Sequence, residues 1–146
     1  MSSKIIMLKN PRPKWRDYPG LVKIFFLIYM LCLLWGTKNH IIDIWNGGFL
    51  PYTYAPMGFN IYWTSLTFLD PLAIILLCFL PYYGMVLAVF IMVSDIAVNL
   101  YATYTFCNSD IFSDGTLQAQ ILFGIFLFLT VPIAWKKLAK STTKTA

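Results

Sequence analysis

Two aspartates stand alone near the middle of two long apolar stretches. Asp70 lies in residues 60–80 and Asp95 in residues 85–106, and only residues 81–84 join the two stretches. The two positions are equally distant from the centre of this hairpin. Because antiparallel helices advance by equal steps from a shared turn, the two carboxylates are expected at one depth. An aspartate at the centre of a membrane helix costs roughly 2.5–3.5 kcal/mol, so a pair of them indicates a functional site.

Paired carboxylates in a low-dielectric interior can bind a cation, exchange a proton or act as general acid and base. Two close carboxylates cannot both ionise readily there, so one proton would be shared between them. Asp70 and Asp95 are therefore the candidates for a proton-transfer pair if the protein catalyses a reaction. The structural alternative is that Asp70 caps a kink while Asp95 hydrogen-bonds to Asn99 or to a neighbouring hydroxyl.

Other polar residues share the helix faces of the two acids. Asn99 follows Asp95 by one helical turn and extends a polar stripe on an otherwise apolar helix. Thr67 precedes Asp70 by one turn and is expected to satisfy part of the backbone that Pro71 disturbs. Asp is a good N-cap and Pro suits the first helical position, so this dipeptide predicts a helix that is kinked or interrupted at mid-membrane.

A third polar group lies at the outer end of the first apolar stretch. His40 and Asp43 share one helix face with Gly36, and a face of this kind can contact partner helices or line the mouth of a cavity. An aromatic loop follows, with Tyr52 and Tyr54. These tyrosines are expected either to anchor the bundle at the lipid headgroups or to cover a pocket.

The elements that position these residues are expected to be membrane-spanning helices. The 146 residues are 59% hydrophobic and 12% charged, whereas a soluble domain averages about 25% charged residues. The predicted fold class is an all-α membrane protein, a four-transmembrane-helix bundle. A basic arm, 1–20, precedes the spanning domain, 21–140, and a short tail, 141–146, follows it. The predicted spans are about 21–45, 60–80, 85–106 and 117–135.

Basic residues flank the bundle and predict its orientation. Five lie before residue 20 and four after residue 135, whereas Lys38 is the only one in the proposed outer segments. The positive-inside rule therefore predicts a multi-pass integral membrane protein whose N- and C-termini are both cytoplasmic. The basic ends favour membrane lipids as partners. Their position beside apolar spans argues against nucleic acid, although the net charge is +5.

Metal ions and cofactors are not expected. The chain has one histidine and three cysteines, Cys32, Cys78 and Cys107, with no CxxC spacing. These residues lie at different depths, so they offer neither paired zinc ligands nor a disulfide framework. Glycine-rich phosphate loops and the GxSxG signature of hydrolases are also absent from the sequence.

Short segments spread over residues 21–140 carry a family resemblance. They are the run His40 to Trp45, Pro71 with the leucine after it, the very short hairpin, and Pro132 before the basic tail. This pattern resembles the EXPERA superfamily of four-span membrane proteins, which includes the emopamil-binding protein and the sigma-2 receptor. The resemblance implies a bundle around a pocket for sterols and amphiphilic amines, with His40 and Asp43 at the mouth of the pocket.

The chain departs from the isomerases of that family at their catalytic positions. Tyr62 lies in the neighbourhood where those enzymes have a glutamate, and Ile125 and Phe128 stand where they have an asparagine and a tryptophan. The catalytic residues of a sterol isomerase are therefore not all present. The resemblance implies a fold and a pocket rather than a reaction.

The sequence favours a membrane protein that binds a lipophilic small molecule, sterol-like or an amphiphilic amine, in an acidic intramembrane pocket. One alternative is a small proton-coupled transporter, acting as an oligomer such as a homodimer because four short helices enclose little volume. Another is an accessory or assembly subunit whose polar residues hydrogen-bond between helices. The predicted ligand-binding residues are His40, Asp43, Thr67, Asp70, Asp95 and Asn99.

Asp95→Asn separates these three hypotheses. The substitution removes a charge with little change in shape, so it should weaken binding of a cationic ligand, abolish proton coupling, and spare an assembly role. The measurements are binding of hydrophobic amines, pH-driven transport into vesicles and recovery of any assembled complex. Full amine binding and full proton coupling in the variant would show that the carboxylate serves neither purpose.

Overall fold

Four long α-helices make up most of the described chain. The computed structural model describes residues 15–107 and 115–144, with side chains for 15–106 and 115–141. Each of the four helices is long and apolar enough to cross a membrane, so the predicted fold class is confirmed. A 3₁₀ turn, Trp15–Asp17, precedes the first helix, and a π-helical turn, Thr103–Cys107, extends the third. The helices are α1 Gly20–Gly47, α2 Met57–Phe79, α3 Pro81–Ala102 and α4 Gly115–Lys144.

Some predicted segments lie outside the described residues. They are residues 1–14 of the basic arm, residues 108–114 between α3 and α4, and residues 145–146 of the tail. Within the described residues, α4 is longer than the predicted fourth span and continues to Lys144. α1 ends at Gly47, and Gly48 follows it with a φ of 86°, a conformation that glycine adopts without strain.

The helices form a ring in which each packs against its neighbours in the chain, and α1 also packs against α4. Ser141 Oγ donates a hydrogen bond of 3.1 Å to the backbone oxygen of Asp17. The Tyr18 hydroxyl donates at 3.5 Å to the backbone oxygen of Cys78, near the end of α2. Both ends of the described chain therefore lie at one end of the bundle, here called the terminus end. The opposite end, with the connection 48–56, is called the loop end.

Aromatic side chains fill the terminus end between α1 and α4. Phe25 and Tyr29 of α1 pack against Phe126 of α4, with ring centroids 6.0 Å apart in both pairs. The Tyr29 hydroxyl also hydrogen-bonds to the Thr130 hydroxyl at 2.6 Å. Because Tyr29 is fully buried, these contacts close the seam between α1 and α4 there.

α2 continues through Asp70 and Pro71, so the predicted interruption is wrong, whereas the alternative of a kink stays a prediction. Pro71 removes one donor, which would otherwise bond to the carbonyl of Thr67. Packing of α2 against both α1 and α3 supports the helix on either side of this position. The Thr67 hydroxyl is buried and has no hydrogen-bond partner among the described residues. Its predicted role in satisfying the disturbed backbone is therefore also wrong.

The hairpin between α2 and α3 is tighter than predicted. Leu80 alone separates the two helices, and the predicted link, 81–84, is the first turn of α3. Pro81 suits that turn because it lacks the N–H that a helix start leaves unpaired. Gly84 lies so close to α2 that a Cβ there would overlap backbone atoms of Leu77. The absence of a side chain at Gly84 therefore allows the close approach of the two helices.

We expect Gly84→Ala to destabilise the bundle. The added methyl group has to push α2 and α3 apart, and overpacking of this kind costs about 1–3 kcal/mol. The measurement is the free energy of unfolding in micelles, titrated with a denaturing detergent. Gly58→Ala is the matched control, because Gly58 is also helical and a Cβ there meets nothing within 4 Å. Equal stability of the two variants would contradict the close approach at Gly84.

Candidate functional site

A cavity of about 490 Å³ lies between the four helices. Asp70 lines it from α2 and Asp95 from α3, so the structure brings the two carboxylates to one interior space. Most of the remaining wall is apolar, which suits the body of a lipophilic molecule. The apolar side chains are Leu33 and Trp35 of α1, Ile91 and Met92 of α3, and Phe123 of α4.

Asp70 is a buried acid that lacks a partner. Its side chain is only 4% exposed, and none of the hydrogen bonds or ion pairs within residues 15–107 and 115–144 involves it. A Cβ at Gly36 would lie 2.9 Å from Asp70 Oδ2, so the bare backbone of Gly36 leaves room for the carboxylate between α1 and α2. A buried carboxylate is costly unless it is paired or neutralised. This group is therefore suited to receive a cation or a proton.

Asp95 is also buried, but both of its oxygens accept hydrogen bonds. Asn99 Nδ2 donates to Oδ1 at 3.1 Å, and Gln120 Nε2 donates to Oδ2 at 2.6 Å. Asn99 Nδ2 also donates to Gln120 Oε1 at 2.9 Å, which closes a ring of three side chains. We call Asp95, Asn99 and Gln120 the amide ring. The predicted hydrogen bond between Asp95 and Asn99 is confirmed, whereas the contribution of Gln120 from α4 was not predicted.

Trp63 determines which atoms of the amide ring donate hydrogen bonds and which accept them. Its indole Nε1 donates to Asn99 Oδ1 at 2.7 Å, and an indole offers no acceptor. Asn99 must therefore turn its oxygen to Trp63 and its amide nitrogen to Asp95 and Gln120. Gln120 in turn presents its oxygen to Asn99 and its nitrogen to Asp95. Asp95 then faces two donors, an arrangement that suits a carboxylate ion.

A second cavity, of about 220 Å³, lies beside the first and nearer the loop end. Most of its lining residues carry a polar group, and they include His40 and Asp43 of α1 and Tyr52 of the loop. Asp95 lines only the larger cavity, Asn99 only the smaller one, and Gln120 both. The amide ring is therefore part of the wall between the two cavities, which also share Asn39 and Thr116.

Tyr52 joins His40 to Asp43. Its hydroxyl donates to Asp43 Oδ2 at 2.9 Å and lies 2.8 Å from His40 Nδ1. Burial, together with the bond to Asp43, raises the pKa of Tyr52, so the hydroxyl keeps its single proton. Because that proton is directed to Asp43, His40 Nδ1 must be the donor to the Tyr52 oxygen. The neutral histidine ring then carries its lone pair on Nε2.

Asn60 holds the loop that carries Tyr52. Its Oδ1 accepts a hydrogen bond from the Tyr52 backbone N–H at 3.1 Å, and its Nδ2 donates to the Leu50 backbone oxygen at 3.0 Å. Asn60 is only 4% exposed, and buried amides of this kind need such partners. The two bonds fix Tyr52 above α1, where it covers the smaller cavity as well as anchoring the loop.

The structure divides the six predicted ligand-binding residues among three places. Asp70 and Asp95 line the larger cavity, whereas His40, Asp43 and Asn99 line the smaller one. Thr67 lines neither cavity. Asp70 and Asp95 thus share the larger cavity. His40 and Asp43, at the end of α1, line the separate smaller cavity beside it.

Two further residues shape the site and were not predicted. They are Trp63 of α2, which donates to Asn99, and Gln120 of α4, which donates to Asp95. Partners on different helices leave no periodic signal in the sequence, because periodicity reports only neighbours along one helix. The available signal is chemical, since an indole N–H or an amide inside an apolar helix needs a hydrogen-bond partner when it is buried.

Asp70 and Asp95 are the acidic residues that line the larger cavity, and Cys32 is its cysteine. Among the described residues, no three His, Cys, Asp or Glu side chains come close enough together to hold a metal ion. Cys32 lines the larger cavity as a free thiol. Cys78 is also free and lies away from that cavity, with its Sγ 3.7 Å from the sulfur of Met30.

Comparison with known proteins provides no relative for the chain. No protein-family model, no curated protein and no solved structure matches it. The resemblance to the EXPERA superfamily therefore stays a prediction. The function has to be inferred from the two cavities and from the residues that line them.

We expect the effects of substituting Trp63 and Gln120 on the free energy of unfolding to be non-additive, because both residues hydrogen-bond to Asn99. Trp63→Phe removes the donor that orients Asn99, and Gln120→Leu removes the next member of the amide ring. Each loss weakens the interactions that the other would disrupt. The double variant should therefore be more stable than the sum of the single effects predicts, by about 0.5–3 kcal/mol. The measurement is the free energy of unfolding of both single variants and the double variant.

Tyr62→Phe is the matched control for this cycle. It removes a hydrogen bond of 2.7 Å between Tyr62 and Ser94, which also joins α2 to α3 but lies outside the amide ring. Its cost should add to that of Gln120→Leu within about 0.5 kcal/mol. Additivity of Trp63→Phe with Gln120→Leu would contradict the relay through Asn99.

Proposed function

We propose that this multi-pass membrane protein binds a lipophilic small molecule, sterol-like or an amphiphilic amine, in the larger cavity. The observation that carries the proposal is the unpaired carboxylate of Asp70, which is buried and lines that cavity. A cationic centre on the ligand would supply the missing partner. The attraction is strong there because the surrounding medium screens charge far less than water does.

The two acids take different parts in this proposal. Both oxygens of Asp95 already accept hydrogen bonds from Asn99 and Gln120, so these bonds hold Asp95 in place in the cavity wall. Neither oxygen of Asp70 accepts a hydrogen bond from the described residues, and the side chain lines the larger cavity. A cation bound at Asp70 would also be attracted by Asp95 across the same cavity.

The apolar walls would hold the body of the ligand. Trp35 of α1 and Phe123 of α4 supply aromatic surface, and Ile91 and Met92 of α3 supply aliphatic surface. A volume of about 490 Å³ falls within the roughly 300–1,000 Å³ of small-molecule pockets. The resemblance to the EXPERA superfamily supports the same ligand class by analogy.

A purely structural role accounts for Asp95 but not for Asp70. The amide ring and Trp63 join α2, α3 and α4, as polar residues of an assembly subunit would. A carboxylate that served only packing would be expected to have hydrogen-bond partners, and Asp70 has none among the described residues. The unpaired acid therefore favours ligand binding over assembly.

The test is the thermal stability of the purified protein in a neutral detergent with added ligands. Dodecylamine is the probe, and dodecanol provides the same chain without a charge. A ligand that binds only the folded protein adds about 2.7 kcal/mol at 100 times its Kd. We expect the amine to stabilise the wild type more than the alcohol does. Asp70→Asn should weaken amine binding by about 10–100-fold, since hydrogen bonds to charged groups contribute about 1.5–3 kcal/mol.

Asp43→Asn is the matched control, because it makes the same change outside the larger cavity and should keep most of the amine response. Cys32 gives an independent readout in a variant that lacks the other two cysteines. Bound amine should slow its labelling by a maleimide, because Cys32 lines the larger cavity. Equal stabilisation of the wild type and Asp70→Asn would contradict the proposal. No response to amines or sterols would favour the assembly subunit.

A further inference from the structure

The smaller cavity presents hydrogen-bond acceptors that lack donors. His40 Nδ1 and Asp43 Oδ2 are both engaged with the Tyr52 hydroxyl. His40 Nε2 and Asp43 Oδ1 have no hydrogen-bond partner within the part of the chain that the structure describes. With Nδ1 as the donor, Nε2 of the neutral ring is an acceptor, as is a carboxylate oxygen. This small space is therefore built to receive a donor.

A donor is also available in the wall that the two cavities share. Asn39 lines both cavities, and its side-chain amide makes no hydrogen bond to the described residues. An amide N–H can donate while His40 Nε2 accepts. A hydroxyl group matches this combination, because it donates one hydrogen bond and accepts others. An ammonium group can only donate.

The smaller cavity also lies close to Asp70. Gly36 contacts the Asp70 carboxylate, and His40 follows Gly36 by one turn of α1, a rise of about 6 Å for four residues. Asn39 lies between them in the sequence and lines both spaces. One compact polar head group can therefore reach Asp70 with an ammonium and His40 with a neighbouring hydroxyl.

We propose that the smaller cavity is the subsite for a hydroxyl group of the ligand, and that the ligand class is a lipophilic amino alcohol. The inference rests on the proposed function, since it adds a second anchor to an amine held at Asp70. The hydroxyl donates to His40 Nε2 and accepts from the Asn39 amide. Tyr52 is a positioning residue, because its bonds to His40 and Asp43 hold the ring with Nε2 as the acceptor.

The test compares two probes with one skeleton. The probes are 2-aminododecane and 2-aminododecan-1-ol. They differ only in the hydroxyl group on the first carbon. Their dissociation constants are measured in detergent at pH 8, where a histidine of ordinary pKa is mostly neutral. We expect the wild type to bind the hydroxylated probe roughly five-fold more tightly, the usual effect of one hydrogen bond.

His40→Asn is the informative variant. Its amide nitrogen can still donate toward Tyr52, but the acceptor at Nε2 is lost, so the preference for the hydroxylated probe should fall to parity. Ser94→Ala is the control, because Ser94 lines neither cavity, and it should keep the five-fold preference. Parity in His40→Asn together with a retained preference in Ser94→Ala supports the subsite.

Other outcomes overturn the inference in distinguishable ways. Equal binding of the two probes by the wild type would remove the hydroxyl subsite and leave amine binding at Asp70 intact. A preference that survives His40→Asn would place the hydroxyl elsewhere and overturn the assignment. Tighter binding of the corresponding diamine than of the amino alcohol would assign the subsite to a second cation instead. No binding of any probe would overturn both the proposed function and the subsite.

Discussion

The indole N–H of Trp63 can only donate, and this constraint sets the pattern of hydrogen bonds inside the bundle. It turns the oxygen of Asn99 toward α2, which leaves amide nitrogens for Asp95 and Gln120. In a lipid environment a polar group without a partner is costly, so one fixed donor orients every amide in the ring. Asp95 is thereby held as an acceptor of two hydrogen bonds in the wall of the larger cavity.

The shape of the interior depends on where side chains are missing and where they are large. Glycine at position 84 lets α2 and α3 approach closely, and Gly36 leaves space between α1 and α2 for the carboxylate of Asp70. Tyr29, with the phenylalanines around it, closes the seam between α1 and α4 at the terminus end. Space therefore remains toward the loop end, where the polar side chains lie. Packing and polarity together place both cavities toward this end of the bundle.

The two cavities differ in chemistry because their acids differ in partners. Asp43 is engaged by Tyr52, and Asp95 by two amides, whereas Asp70 has no partner among the described residues. A buried carboxyl group without a hydrogen-bond partner is costly, and the proposed ligand would supply that partner. The loop contributes Tyr52 only because Asn60 fixes its backbone. Folding of that loop is therefore coupled to formation of the smaller cavity.

The sequence alone determined the four long apolar helices and the hydrogen bond between Asp95 and Asn99. These features depend on hydropathy and on residue spacing within one helix, and both can be read directly from the sequence. Only the tertiary structure decided that α2 continues through Pro71, that Gln120 and Trp63 join Asp95 in one network, and that Asp70 stays unpaired. The rotation of each helix about its axis selects these contacts, and that rotation is set by packing against the neighbouring helices rather than by any local pattern.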